Sequence, residues 1–248
     1  MLTITVANQK GGVAKSTTAV TLGHGLARNH YNTLVLDLDP QGVCAPLLRM
    51  DQGQNVFNFL VHHPPLQEVA LSTGRDGLWL MPGNKLTQAV SAVASAKGQA
   101  AEEILSDALD TNKIGAETLH YLVLDTAPTV GDLQVSALAA ADILIMPCAL
   151  DQLSLRGVTE ILSTLASLKR NEPPLGYVLP TFFDDVTKES RANLELLREH
   201  FAGSVLKPIH RATVFRECAA LGATIFEHAP KSRAAVEYDL LVRTVLDG

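Results

Sequence analysis

The stretch "ANQKGGVAKSTTAV", Ala7 to Val20, decides the fold. It follows the apolar, β-forming run "LTITV", and the strand is expected to end at Asn8. A glycine-rich turn comes next, and Lys-Ser-Thr then opens a helix expected over Ser16 to Arg28. In that arrangement backbone N–H groups and a helix N-terminus cradle phosphates. Gly11 and Gly12 let the backbone approach an anion with no side chain in the way. Lys15 brings a cation to the β and γ phosphates, and the Ser16 hydroxyl offers a ligand to Mg²⁺. An ordinary turn would explain the glycines but not the Lys-Ser pair that follows them. The usual loop, G-x-x-x-x-G-K-[ST], is not matched, because Gln9 and Ala14 stand at its two glycine positions. Ala14 sits at the helix entrance and is expected to take a helical φ, where alanine costs little. A positive φ would cost about 1 kcal/mol and bring the methyl against the phosphates.

Working outward, short apolar runs recur at Leu2–Asn8, Thr33–Asp39, Leu78–Met81, Tyr121–Thr126, Ile143–Cys148 and Gly176–Phe182. They are continuous rather than alternating, as strands covered on both faces are. Helical patterns lie between and after them, at Ala101–Leu109, Asp132–Ala140, Gly157–Lys169, Lys188–Phe201, Phe215–Leu221 and Ser232–Leu246. Alternating strands and helices predict an α/β fold, a doubly wound, mostly parallel sheet with helices on both faces; with the phosphate loop of Ala7 to Val20 this reads as one P-loop NTPase domain over residues 1–248. Residues 51–76 and 84–100 are the least patterned, and "HHPP", His62 to Pro65, reads as a loop. With no third ligand nearby, the two histidines do not suggest a metal site.

Ligands of α/β folds bind at the C-terminal ends of the strands. "LVLDLDPQG" puts Asp37 and Asp39 at the end of one strand, and "YLVLDTAP" puts Asp125 at the end of another. A lone strand-end aspartate is most often a cap or turn residue. Three acids at two such ends, beside a phosphate loop, fit a metal-nucleotide site better.

Composition narrows the alternatives. The 248 residues are 47% hydrophobic and 19% charged, which excludes a disordered chain. A net charge of -6 excludes a polycation, so any nucleic-acid contact must come from a local patch. Residues 151–248 hold 12 Lys or Arg against 13 Asp or Glu, and residues 1–150 hold 8 against 13, so the C-terminal part is the less acidic. Cys44, Cys148 and Cys218 form no CxxC and read as buried, reduced thiols rather than zinc, disulfide or iron-sulfur ligands. No apolar run has the ~20 residues of a membrane span, and no signal peptide opens the chain, so a cytoplasmic location is expected.

The spacing K-G-G-x-x-K-[ST], here Lys10 to Ser16, closely resembles the deviant Walker A box of the ParA/MinD family of ATPases. "DLDPQG" resembles that family's Walker A′ motif, and "LVLDTAP" resembles its Walker B motif. Further on, "IHRATVFRECAALGATIFEHAPKSRAAVEY" is similar to the segment that usually reads I-P-R-N-V…D-P-x-S-x-G-A-x-x-Y, with His210 in place of the proline and Pro208 two residues earlier. The resemblance covers nearly the whole chain and is greatest to the short partition ATPases.

That resemblance implies ATP and Mg²⁺, with the nucleotide held by Lys10, Gly11, Gly12, Val13, Ala14, Lys15, Ser16 and Thr17, and its adenine near Pro208 and His210. It implies catalysis by Lys10, Lys15 and Asp39: Lys10 reaches across an ATP-bound homodimer to the partner's phosphates, and Asp39 positions the attacking water. Metal ligation falls to Ser16, Asp39 and Asp125, the last through a water. It further implies nonspecific DNA as a partner, contacted by Lys188, Arg191, Arg211 and Arg216 within a wider set that includes Lys207, Lys231 and Arg233. A ParB-like or other adaptor would stimulate a hydrolysis that is slow alone, and the protein would be nucleoid-associated. A MinD-like positioning ATPase that uses a membrane or scaffold instead of DNA is the alternative. The C-terminal "AAVEYDLLVRTVLDG" lacks the basic amphipathic face that a membrane helix needs, so no membrane partner is expected. A third reading keeps nucleotide binding but, through Ala14, almost no hydrolysis.

Overall fold

The computed structural model describes residues 1–109, 113–168 and 172–247. Its strands are β1 (Leu2–Val6), β2 (Thr33–Asp37), β3 (Leu71–Arg75), β4 (Leu78–Met81), β5 (Lys113–Ile114), β6 (Glu117–Thr118), β7 (Tyr121–Asp125), β8 (Ile143–Cys148) and β9 (Leu175–Pro180). Seven of them form one sheet in the order β3-β4-β2-β7-β1-β8-β9, parallel except for β3, while β5 and β6 pair separately as a short antiparallel hairpin. The helices are α1 (Lys15–Arg28), α2 (Cys44–Leu47), α3 (Asn55–His62), α4 (Leu66–Val69), α5 (Ala89–Ala96), α6 (Ile104–Ala108), α7 (Asp132–Ala140), α8 (Gln152–Ser167), α9 (Lys188–Phe201), α10 (Val214–Leu221), α11 (Ile225–His228) and α12 (Arg233–Asp247).

The unbroken apolar runs have the cause expected of them. All five residues of β2 and all five of β7 are buried, because helices cover both faces of the sheet. Val35 and Val123 join the cluster under α1 and α12, whereas their neighbours Leu34, Leu36, Leu122 and Leu124 point to the opposite cluster, with Phe59 of α3 and Leu105 of α6. A third cluster packs Leu144 and Met146 of β8 against Val158 and Ile161 of α8 and Leu197 of α9. Each such buried leucine or valine contributes about 1.5–3 kcal/mol relative to leaving it in water.

Several boundaries differ from the sequence reading. The strands stop at Val6, Asp37, Asp125 and Pro180, so Asn8, Asp39 and Thr126 lie on the loops beyond them. The stretch 51–76 holds α3, α4 and β3, and 84–100 holds a 3₁₀ turn and α5. β3, "LSTGR", has no apolar run because it is an edge strand with a register shift between Ser72 and Arg75. "HHPP" is not wholly a loop: His62 closes α3, and His63 takes the left-handed C-cap with φ 52°, after which Pro64 cannot continue the helix. The helix expected over 101–109 is a 3₁₀ turn, Ala101–Glu103, followed by α6. α8 starts earlier than expected because the Asp151 side chain caps it, accepting from Ser154 N; Lys169, its expected end, lies outside the described residues.

The terminal helix α12 lays Ala234, Ala235, Tyr238, Leu241, Val242 and Val245 into the core beside α1. Among the described residues no helix is long and apolar enough to cross a membrane. Gly25 permits the close approach of α1 and α12, since a Cβ there would press on Val242 Cγ2 and come within 3.1 Å of the Phe226 ring. Gly25→Ala is expected to lower stability by about 1–3 kcal/mol despite alanine's better helix propensity, read as a lower urea midpoint with an unchanged m-value.

Candidate nucleotide and metal site

The loop after β1 emerges at the centre of the sheet, with β7 on one side and β8 on the other. Asn8, fully buried, bolts it down: its Oδ1 accepts from Lys10 N at 2.9 Å, and its Nδ2 donates to Pro147 O at 2.7 Å and Ser154 O at 3.3 Å. From the far side Thr181, just after β9, donates its hydroxyl to Val13 O at 3.2 Å, and Val13 itself is buried. The loop turns through positive φ at Gly12 (73°) and at Ala14 (71°, ψ 30°). Ala14 therefore does not have the helical φ expected of it. It is the N-cap of α1, and the chain enters the helix through the left-handed region, which costs alanine about 1–2 kcal/mol. No side chain caps α1, so the first N–H groups of this 14-residue helix are available to an anion. A Cβ added at Gly11 or Gly12 would meet nothing within 4 Å, which leaves open space above the loop.

The two lysines have different surroundings. Lys15 is buried, and its ammonium donates to Lys10 O at 3.0 Å. Burial holds its pKa below the usual lysine value, opposed by the charges of Asp125 and Asp39. Lys10 is more exposed, and its ammonium makes an ion pair with Asp151 of its own chain. Asp151 also accepts from Ser154 N at 2.8 Å. Burial would raise its carboxyl, but the Lys10 ammonium and the Ser154 N–H outweigh that and hold it below the usual range.

Asp37 and Asp125 are direct neighbours in the β2–β7 register, and both are fully buried. Asp37 accepts from Asp39 N at 3.1 Å and from Cys44 N at 3.0 Å. Burial, with Asp125 beside it, pushes its carboxyl well above the ordinary value. Asp125 rises to about 6, again through burial, against the lowering effect of Ser16, Cys44 and Lys15. Its Oδ2 accepts from Cys44 Sγ at 3.3 Å, while its Oδ1 is buried with no hydrogen-bond partner. Asp39 is 9% exposed and accepts from Gln41 N at 2.9 Å. An orphaned carboxylate oxygen, a serine hydroxyl and a second strand-end aspartate are hard oxygen donors of the kind Mg²⁺ takes. With the open loop and the uncapped helix, these residues fit a magnesium-bound nucleotide.

The C-terminal segment borders a separate cavity of about 270 Å³, lined in part by Phe183, Asp184, Asp185, His210, Arg233 and Glu237. Pro208 does not line it. His210 donates its backbone N–H to Glu237 Oε2 at 2.9 Å, and its Nδ1 lies 2.6 Å from Glu237 Oε1. Arg233 Nη2 also bonds His210 Nε2; a guanidinium only donates, so Nε2 accepts and Nδ1 carries the proton. The expected adenine neighbour is thus held in a polar network with its ring edge-on to Phe183, at 4.8 Å between centroids. Of the basic residues, Lys188 and Arg191 are exposed on α9, Arg216 is exposed on α10, and exposed Arg211 lies over the Phe182 ring. Lys207 and Lys231 are exposed as well, but the Arg233 guanidinium is tied to Asp185 and Glu237 rather than free for a phosphate.

Known proteins resemble this chain in sequence and in fold. The AAA_31 family model, an AAA domain, matches residues 1–175. The chromosome-partitioning ATPase Soj of Thermus thermophilus is 32% identical over 248 residues, covering 98% of this chain and 94% of that protein. The chain belongs to the ParA/MinD family of ATPases. Among solved structures, apo McdA of Cyanothece superposes with a TM-score of 0.86 at 19% identity, covering 99% of each chain, a likeness of fold. A Mycobacterium smegmatis structure described as cobyrinic acid a,c-diamide synthase with bound ATP analog and magnesium has a TM-score of 0.81 at 28% identity, covering 99% of this chain and 94% of that one.

Within this ParA/MinD-family chain, sequence reading gave no site role to Asn8, Cys44, Asp151, Gly157 or Thr181, although Cys44 is the buried free thiol expected. Asp151 left one local trace, the N-cap spacing to Ser154. Gly157, where a Cβ would strike Asn8 Oδ1, left none. Two stability measurements test the site. Ala14→Gly is expected to stabilise the nucleotide-free chain by about 1 kcal/mol, because glycine takes positive φ without strain. Asp125 has its folded pKa raised, so its buried charge opposes folding in full above about pH 6, and the penalty is relieved as pH falls from the folded pKa of about 6 towards the unfolded value of 3.8. Asp125→Asn should therefore stabilise the metal-free chain by about 1–2 kcal/mol at pH 7.5, and the gain over wild type should fade as pH is lowered from about 6 to about 4 in chemical denaturation.

Proposed function

We propose that the chain is a ParA-type ATPase that partitions DNA or positions an intracellular cargo, cycling between an ATP-bound homodimer and a released form. The observation that carries this reading is the presence together of a buried Lys15, an orphaned Asp125 oxygen and an uncapped helix N-terminus, with a second lysine, Lys10, on the same loop. The similarity to Soj along nearly the full chain supports it. In this reading the N–H groups of Gly11 to Thr17 and the Lys15 ammonium bind the phosphates. Ser16, Asp39 and Asp125 would hold Mg²⁺, which would supply positive charge to stabilise the transferring phosphoryl group. Asp39, the least buried of the three carboxylates, orients the attacking water.

Lys10 serves the partner's nucleotide. Its ammonium is engaged by Asp151 within one chain, so reaching across a dimer requires that ion pair to open. Both groups are partly exposed, and such a pair contributes about 0–1 kcal/mol, which phosphate binding readily exceeds. The exposed Lys188 and Arg191 on α9, with Arg211 and Arg216 near α10, form the basis of a nonspecific DNA contact directed at phosphates. An adaptor of the ParB kind stimulates hydrolysis and so releases the dimer from DNA.

Asp39→Ala is expected to lower ATP turnover by about a hundredfold, the scale on which a water-positioning group contributes, and to accumulate an ATP-dependent dimer in size-exclusion chromatography with light scattering. Unaltered turnover would remove Asp39 from this role. Binding to random-sequence DNA should require ATP rather than ADP and weaken steeply with salt. Sedimentation with anionic liposomes but not with DNA would instead select the MinD-like alternative.

A further inference from the structure

Cys44 stands at the head of α2, immediately after the turn that carries Asp39, and is fully buried. It touches both strand-end carboxylates. Its backbone N–H donates to Asp37 Oδ2 at 3.0 Å, and its thiol donates to Asp125 Oδ2 at 3.3 Å. The donor atoms of Asp37, Cys44 and Asp125 lie within 4.8 Å of one another, a spacing that three ligands of one metal ion could share. Both oxygens of Asp37 are already engaged by backbone N–H groups, which leaves Asp125 the less satisfied of the two carboxylates. Magnesium takes oxygen rather than sulfur. The thiol therefore acts on the carboxylate, not on an ion.

The two oxygens of Asp125 are unlike: Oδ2 is held by the thiol, and Oδ1 is buried without a partner. A carboxylate free to rotate about its Cβ–Cγ bond would exchange the two, and a metal ion would have to select one orientation on binding. Groups that hydrogen-bond a metal-binding carboxylate fix its orientation, and removing them commonly weakens metal affinity. We infer that Cys44 is a positioning residue for the magnesium ion, its thiol holding Asp125 so that Oδ1 is presented to the ion and its water. This rests on the proposed role of Asp125 in holding Mg²⁺. It also gives the cysteine a task beyond filling space. A thiol is a weak donor, so the effect should be smaller than that of losing a charged or amide partner.

The test is a titration of free Mg²⁺ at saturating AMPPNP, read by thermal shift rather than by turnover. The variants are Cys44→Ala, Cys44→Val, Cys44→Ser and Asp125→Asn in the full-length chain. Alanine and valine remove the donor, valine while keeping most of the volume, and serine restores a hydroxyl donor. Cys44→Ala and Cys44→Val are expected to raise the half-saturating Mg²⁺ concentration about threefold to tenfold, with Cys44→Ser within about twofold of wild type. A packing role alone would lower the melting temperature of the nucleotide-free chain without moving the Mg²⁺ midpoint, and that outcome overturns the inference. If Asp125→Asn shifts the midpoint while Cys44→Ala and Cys44→Val do not, the role of Asp125 stands and that of Cys44 falls. If Asp125→Asn leaves the midpoint unmoved, both fall. Should the alanine variant fail to fold, the valine and serine pair decides.

Discussion

Two carboxylates, Asp37 and Asp125, are buried side by side at the ends of adjacent central strands. Removing paired like charges from water is costly, and the site is arranged around that cost. Asp37 is satisfied by two backbone N–H groups from the turn behind it, so the turn from Leu38 to Cys44 is folded onto its carboxylate. Asp125 is satisfied only in part: the Cys44 thiol holds one oxygen, and Ser16 and the buried Lys15 are near enough to favour its charged form. One acid is thereby structural and the other is left incomplete. An incomplete acid beside a phosphate loop is suited to a divalent cation.

The loop is stiffened from both flanks for the same reason. Asn8 joins it to the end of β8 and the first turn of α8, and Thr181 joins it to the end of β9, so its backbone N–H groups are fixed before an anion arrives. Such preorganisation places donors at no reorganisation cost when charge develops. Part of the expense appears at Ala14, which holds a left-handed conformation without glycine's freedom. Strain of this kind persists where neighbouring contacts over-determine the backbone.

The same anchoring places Lys10 apart from Lys15. Its backbone is tied to Asn8, but its side chain runs outward to Asp151, a carboxylate that also caps α8. The phosphate loop, the signature lysine and the start of α8 are therefore one mechanical unit. α8 in turn packs Val158 and Ile161 into the third core cluster.

The sequence by itself determined the class of fold and pointed to a phosphate-binding loop at its centre. Unbroken apolar strands can only be covered on both faces, and the K-G-G-x-x-K-S spacing with strand-end aspartates is a local pattern that needs no distant partner to be read. The boundaries of α1, α7, α9 and α12 were legible for the same reason, whereas β3, polar and at the sheet edge, was not. Tertiary structure alone decided the φ of Ala14, the engagement of Lys10 by Asp151 across 141 residues, the contact of Cys44 with Asp125 across 81, and the network that holds His210 between Glu237 and Arg233. Each depends on which strands become neighbours in the sheet. That order is set by the packing of the whole core, and no stretch of sequence near those residues encodes it.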